Sequence, residues 1–159
     1  MKVKDWPLLF PTGSLLLCMI IFSPQTAAAS AILPGIWLMD SKVAIQVFDC
    51  SGMLCGRVIW LRVPLDPQGL MKRDKLNPDP ALWARQVCGP TIIWNARPVD
   101  SSHWKDGWFY NPDDGGTYRI TMELQSDDVM ATRVYKGFPI FGEIKVLTGV
   151  PMGLGAGWC

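Results

Sequence analysis

The sequence predicts an all-β protein, an antiparallel up-and-down β-barrel of about eight strands with one short helix. Short apolar segments rich in β-branched and aromatic residues recur along the chain, and clusters of Gly, Pro, Asn and Asp separate them. A single stretch has a helix-start signature. Because closure removes the exposed edges of a sheet, sequential hairpins favour a barrel, although the pattern alone leaves a sandwich open.

The N-terminal residues have the pattern of an export signal. Lys2 and Lys4 make a basic start, residues 15–22 are continuously apolar, and small residues lead up to Ala29. This order is typical of a secretory signal peptide cut near Ala29, and it predicts a periplasmic or secreted protein. A membrane-spanning helix needs about 20 mostly apolar residues, so we expect no stable membrane insertion.

The mature chain is expected to form one domain. The division is a signal peptide over 1–29, the barrel over 30–150 and a flexible Gly-rich tail over 151–159. Removing the three charged residues of the signal leaves 13 basic and 13 acidic side chains with no basic block. Nucleic-acid binding depends on clustered positive charge, so it is not expected.

The strand segments follow in order along the mature chain. Residues 64–75 interrupt them as a polar, Pro- and Gly-containing stretch, which predicts a surface loop, and residues 77–85 contain the helix-start signature. The predicted strands cover 36–39, 43–50, 54–62, 91–94, 108–110, 117–125 and 138–147.

Residues 117–125 alternate most regularly, with Tyr118, Ile120 and Met122 on one face. A three-residue turn after this strand pairs Leu124 with Met130 and keeps the apolar residues on one face.

The cysteines suggest disulfide bonding in an oxidising compartment. Cys50 and Cys55 flank four residues, and cysteines opposite each other in a hairpin lie within disulfide range. That pairing places Ile45 opposite Trp60. Cys88 and Cys159 form either a second bridge, or a buried cysteine and a free tail thiol.

No metal site or cofactor is expected. Zinc sites need a second pair of Cys or His ligands, and the only histidine, His103, has no cysteine beside it. Ser101 and Ser102 precede that histidine in one polar loop, and no nucleophile elbow occurs in the chain. The sequence therefore predicts no enzyme activity.

Six motifs in order resemble the exported bacterial family called domain of unknown function 2147, over about residues 35 to 150. The resemblance implies a lipocalin-like fold in the cell envelope and carries no known catalytic residues. In lipocalins the Trp of a first-strand Gly-x-Trp closes one barrel end, a role that falls to Trp37. The motifs are Gly35-x-Trp37, Cys50-x4-Cys55-Gly56, Asp74-x-x-Asn77-Pro78-Asp79-Pro80, Cys88-Gly89, Gly107-x-x-Tyr110-Asn111-Pro112 and Gly137-Phe138-Pro139-Ile140-Phe141-Gly142.

Two functional hypotheses follow, because aromatic and aliphatic side chains can either line a barrel cavity or fill it. In the first, the lumen holds a small hydrophobic or amphipathic ligand. In the second, the core is solid and the protein is a non-enzymatic interaction protein of the envelope. The residues predicted to line the lumen are Ile45, Val47, Val58, Trp60, Tyr118, Ile120 and Met122.

Overall fold

The computed structural model describes residues 34–150, which form one closed antiparallel barrel of eight strands. The strands are β1 (Gly35–Met39), β2 (Val43–Asp49), β3 (Leu54–Leu61), β4 (Thr91–Pro98), β5 (His103–Asn111), β6 (Gly116–Ser126), β7 (Val129–Tyr135) and β8 (Glu143–Val150). Each strand pairs with the next, and β8 closes the cylinder against β1. The predicted barrel is confirmed. The predicted signal peptide and the tail 151–159 lie outside the described residues.

Helical structure within the described range consists of two 3-10 turns. The first, Pro80–Leu82, lies where the short helix was predicted, and the Asp79 side chain caps it by accepting a hydrogen bond from the Ala81 amide. The second, Pro139–Phe141, follows β7 and was not predicted. Between residues 34 and 150 no helix is long and apolar enough to cross a bilayer.

The strand connections divide between the two barrel ends. We call the end with the connections 40–42, 62–90, 112–115 and 136–142 the mouth. The connections at the opposite end cover 50–53, 99–102 and 127–128.

The hairpin of β6 and β7 has the predicted register. Ile120 lies opposite Val134 and Leu124 opposite Met130. The turn differs from the predicted three residues: it covers the two residues 127–128, and a bulge at Gln125 accounts for the difference. The alternation of apolar and polar residues therefore specifies this pairing.

The hairpin of β2 and β3 departs from the predicted register. Ile45 lies opposite Val58, and the preceding Ala44 lies opposite Trp60, so the predicted pairing of Ile45 with Trp60 is wrong. A β-bulge at Ile59 adds one residue to β3, which changes the face on which the following side chains lie. Trp60 consequently shares the outer face with Ala44 instead of pointing into the lumen.

The disulfide between Cys50 and Cys55 is present, as predicted, with 5.9 Å between the two Cα atoms. It closes the β2–β3 hairpin at the end opposite the mouth. Cys88 also takes part in a disulfide, and its partner lies outside the described residues. Its pairing with Cys159 stays a prediction.

The connection 62–90 is held on the barrel by a buried polar cluster. Asp74 has 1% of its surface exposed, although the sequence predicted a surface loop at this position. Its carboxylate accepts hydrogen bonds from Tyr110 of β5, from Asn77 and from Arg85. A buried carboxylate requires such partners, because desolvation without them is costly.

Candidate binding site at the barrel mouth

The barrel interior is almost completely filled. Among the described residues, a cavity of about 10 Å³ is lined by Thr132 and by apolar side chains that include Ile120 and Leu147. This volume corresponds to about one water molecule. The interior side chains that are 3% exposed or less include Trp37, Ile45, Val47, Val58, Trp104, Ile120, Met122, Met130 and Leu147.

The residues predicted to line a ligand cavity therefore fall into three places. Tyr118 lies at the mouth, and Trp60 lies on the outer face. Contact of any of the seven with a ligand stays a prediction. The other five of the seven predicted residues lie within the packed core: Ile45, Val47, Val58, Ile120 and Met122.

A much larger pocket, of about 310 Å³, opens at the mouth. Residues that pair across neighbouring strands share a face of the sheet. Glu143 lies opposite Val134 and Lys145 lies opposite the buried Thr132, so both charged residues are on the inner face. Phe109, from β5, lies opposite Tyr118 and contributes to the same pocket. The mouth thus has an apolar floor and charged groups at its rim.

Lys145 is the central charge of the rim. Its ammonium group donates a hydrogen bond to Glu143 Oε1 at 2.7 Å and lies 3.5 Å from Asp40 Oδ2. The hydrogen bond to Glu143 is the main cause that raises the pKa of Lys145, and the Asp40 charge adds to it. Lys145 is therefore a fixed cation at the opening of the lumen.

A second group of polar contacts surrounds Tyr118. The Tyr118 hydroxyl donates to Asp114 Oδ2 at 2.6 Å, and the Lys136 ammonium lies 4.5 Å from the Tyr118 ring centre. Burial raises the pKa of Asp114, but hydrogen bonds from Tyr118, the Gly116 amide and Asn111 outweigh it and lower the pKa. The Lys136 ammonium therefore makes a cation–π contact with the Tyr118 ring at this side of the pocket.

The connection 136–142 forms one side of the pocket. Phe141 lines the pocket although most of its surface is exposed. Gly142 holds the connection close to β7, since a Cβ atom at this position would lie 2.9 Å from the Val134 carbonyl oxygen. The inward orientation of Glu143 and Lys145 was not predicted from the sequence, because charged residues at alternate positions of a strand ordinarily face solvent.

Trp37 lies in the interior, away from the mouth. Its ring packs back on Gly35, where a Cβ atom would lie 3.2 Å from the indole nitrogen. Within the described residues that nitrogen has no hydrogen-bond partner. The indole therefore fills the lumen toward the end where β1 begins, and its role in closing that end stays a prediction.

The polar loop before β5 does not form a catalytic triad. Ser102 Oγ and Asp100 Oδ1 both contact Nδ1 of His103, at 3.1 and 2.8 Å. A triad requires the nucleophile on one ring nitrogen and the acid on the other. All three side chains are on the surface, and no group of three metal-ligating side chains occurs among residues 34–150.

A further depression, of about 320 Å³, lies against the outer face of β5–β8. Strand pairing places Ala131 opposite Val146 and Arg133 opposite Ile144 on this face. The exposed Ile144 and Val146 are flanked by charged side chains, among them Glu123. This depression is separate from the mouth and faces away from the lumen.

Comparison with known proteins agrees with this architecture. The structure is similar to one titled "Protein HP1028 from the human pathogen Helicobacter pylori belongs to the lipocalin family". The TM-score is 0.65 at 25% sequence identity, over 76% of this chain and 84% of that one. No curated protein matches the sequence. The family described as "Uncharacterized protein conserved in bacteria (DUF2147)" matches residues 35–148. The chain therefore belongs to the bacterial family DUF2147, with a lipocalin-like barrel.

Proposed function

We propose that the protein binds a small amphipathic molecule at the barrel mouth. The observation that carries this proposal is the contrast between a mouth pocket of about 310 Å³ and an interior cavity of about 10 Å³. Pockets that bind small molecules generally start at about 300 Å³. The ligand's apolar part packs on Phe109 and Val134, and its polar part lies among the rim charges.

The balance of charges favours a particular kind of headgroup. The rim has two ammonium groups, from Lys136 and Lys145, and three carboxylates, from Asp40, Asp114 and Glu143. A group that carries both charges can replace existing ion pairs without leaving one charge unpaired. A zwitterionic headgroup therefore fits better than a simple carboxylate.

We also propose that the chain is exported to the periplasm or beyond. The N-terminal pattern and the Cys50–Cys55 disulfide support this proposal, since disulfides persist in oxidising compartments. Mass spectrometry of the protein recovered from the envelope fraction is expected to give an N-terminus near Ser30. Recovery of the full-length chain from the cytoplasm would contradict export.

Calorimetric titration tests binding at the mouth. The probes are lysophosphatidylcholine, which is zwitterionic, and lauric acid, each below its micelle concentration. We expect saturable binding of the first with the higher affinity. Phe141→Ala removes a wall of the pocket and should weaken binding by about fivefold.

Ile140→Ala is the matched control. Ile140 is as exposed as Phe141 and lies in the same connection, but it does not line the pocket. Its substitution should leave the affinity unchanged. Absence of binding by the unaltered protein, or an equal loss in the two variants, would overturn a site at the mouth.

A further inference from the structure

The exposed apolar surface is concentrated at the mouth. Eleven large apolar side chains of the described range are exposed, and eight of them lie in the two longest mouth connections. Five belong to 62–90 and three to 136–142, and none of the eleven lies in the other two mouth connections. Scattered exposed apolar residues need no explanation, but a concentration on one end indicates a contact surface.

The connection 136–142 is the most apolar of these segments. Phe138, Ile140 and Phe141 are exposed by 71, 80 and 78%, and the 3-10 turn Pro139–Phe141 holds the last two. Such large exposed fractions mean that the three side chains project from the barrel, and of the three only Phe141 also borders the mouth pocket. Lys136 begins the same connection.

The two barrel ends also differ in charge. The four mouth connections contain seven basic and six acidic side chains. The three connections at the opposite end contain three acidic side chains and no basic ones. In 62–90, the basic Arg62, Arg73 and Lys75 are exposed, whereas the acidic Asp74 is buried. The mouth is therefore close to neutral, because acidic side chains such as Asp79 and Asp113 are exposed there as well, whereas the opposite end is acidic. An anionic surface repels the opposite end and so favours an approach by the mouth.

We propose that the mouth docks on an anionic lipid bilayer, with Phe138, Ile140 and Phe141 entering the interfacial layer. Apolar and aromatic side chains next to basic ones are the combination that holds peripheral proteins at a bilayer surface. The contact is peripheral and spans nothing. It does not depend on the mouth pocket binding a ligand.

A bilayer fits this surface better than a folded protein does. The apolar side chains project from two separate connections, with polar residues between them. A rigid partner would need a matching hollow for each projection, whereas a fluid lipid layer adapts to both. The basic side chains beside the projections then lie at the depth of the lipid phosphates.

Vesicle flotation of the mature protein tests this proposal. The vesicles are phosphatidylcholine alone, and phosphatidylcholine with phosphatidylglycerol at a ratio of three to one. We expect stronger binding to the anionic vesicles, and a decrease in that binding as salt is added. The variant Phe138→Ser/Ile140→Ser/Phe141→Ser should bind them at least about tenfold more weakly, since burial of apolar groups supplies part of the affinity.

Val99→Ser/Ile144→Ser/Val146→Ser is the matched control. These three apolar side chains are 50 to 54% exposed and lie outside the mouth connections. This variant should float like the unaltered protein, and circular dichroism checks that both variants are folded. Three results would overturn the proposal: no flotation of the unaltered protein, equal flotation of the two variants, or a dimer in solution that the mouth variant abolishes.

The single variant Ile140→Ala distinguishes membrane docking from ligand binding. Ile140→Ala should weaken vesicle binding and leave lysophosphatidylcholine binding unchanged, because Ile140 projects from the mouth without lining the pocket. If Ile140→Ala leaves vesicle binding unchanged as well, the proposed insertion of this connection is wrong, whatever the pocket binds.

Discussion

The hydroxyl of Tyr110 donates a hydrogen bond to Oδ1 of Asp74, which joins the end of β5 to a connection 36 residues earlier in the chain. Asn77 Nδ2 bridges the same two side chains, at 2.9 Å from Asp74 Oδ2 and 3.0 Å from Tyr110 Oη. Arg85 adds a charged partner for the carboxylate. This cluster holds the connection 62–90 beside the mouth, where it shapes the surface available to a ligand or a membrane.

Tyr110→Phe tests the cluster with the smallest change. The variant keeps the ring but removes one donor to a buried carboxylate, which should lower the free energy of unfolding by about 2 kcal/mol. Tyr118→Phe is the control, because the Asp114 group that it contacts is exposed, and its loss should be below about 1 kcal/mol. Urea denaturation measures both variants, and equal losses would contradict a special contribution from Tyr110.

The same cluster predicts a particular response to pH. Burial raises the pKa of Asp74, but hydrogen bonds from Tyr110, Arg85 and Asn77 outweigh it, and the pKa falls below its ordinary value. A carboxylate with a lowered folded pKa stabilises the protein fully above its unfolded pKa of about 3.9 and loses this effect as pH falls through the folded pKa.

The measurement compares the unaltered protein with Asp74→Asn. The difference in their free energies of unfolding should be constant between about pH 5 and 8 and should shrink below about pH 4. The difference between the two free energies of unfolding cancels the contributions of other carboxylates with lowered pKa values, such as Asp106. A difference that does not shrink in acid would mean that Asp74 is not ionised in the folded protein.

The connection 62–90 lies very close to the β5–β6 turn at Gly115. Its φ is +68°, and a Cβ atom would lie 1.9 Å from the carbonyl oxygen of Leu76. Gly115→Ala should therefore lower the free energy of unfolding by roughly 3 kcal/mol, through backbone strain and steric overlap together.

Gly69→Ala is the matched control for strain alone. Gly69 has a similar φ of +79°, but no heavy atom lies within 4 Å of its Cβ position. Gly69→Ala should lower the free energy of unfolding by about 1 kcal/mol. If thermal unfolding gives the same loss for both alanine variants, the contact between Gly115 and Leu76 is not present in solution.

The Cys50–Cys55 disulfide should contribute modestly to stability. Its two cysteines are five positions apart, and closing so short a loop stabilises by about 2 kcal/mol in the chain-entropy model. Cys50→Ser/Cys55→Ser should lose that amount and stay folded by circular dichroism. A variant of unchanged stability would show that the bridge does not constrain the unfolded chain.

The sequence predicted the fold because local signals agreed with one another. In the β6–β7 hairpin, the alternation from Ile120 to Leu124 specifies the observed pairing, although the turn is one residue shorter than predicted. In the β2–β3 hairpin the bulge at Ile59 has no such signal, so the predicted face of Trp60 was wrong. A single inserted residue moves every side chain beyond it to the other face.

The candidate site was less predictable, because it depends on contacts between distant segments. Asp74 and Tyr110 each lie in a motif with Asn-Pro, but nothing in either motif indicates that the two side chains meet. Lys145 and Glu143 point inward only because β8 closes the barrel in a specific register. Neither the closure register nor the filled lumen can be read from apolar alternation alone.

The proposed site is the mouth of a barrel whose interior is solid. Methyl-selective NMR during titration with lysophosphatidylcholine distinguishes binding at the mouth from binding in the lumen. We predict shifts at Val134, which lines the mouth pocket, and unchanged signals from Ile45 and Val58 in the core. Large shifts at Ile45 and Val58 would show that the ligand enters the lumen and would contradict the proposed site.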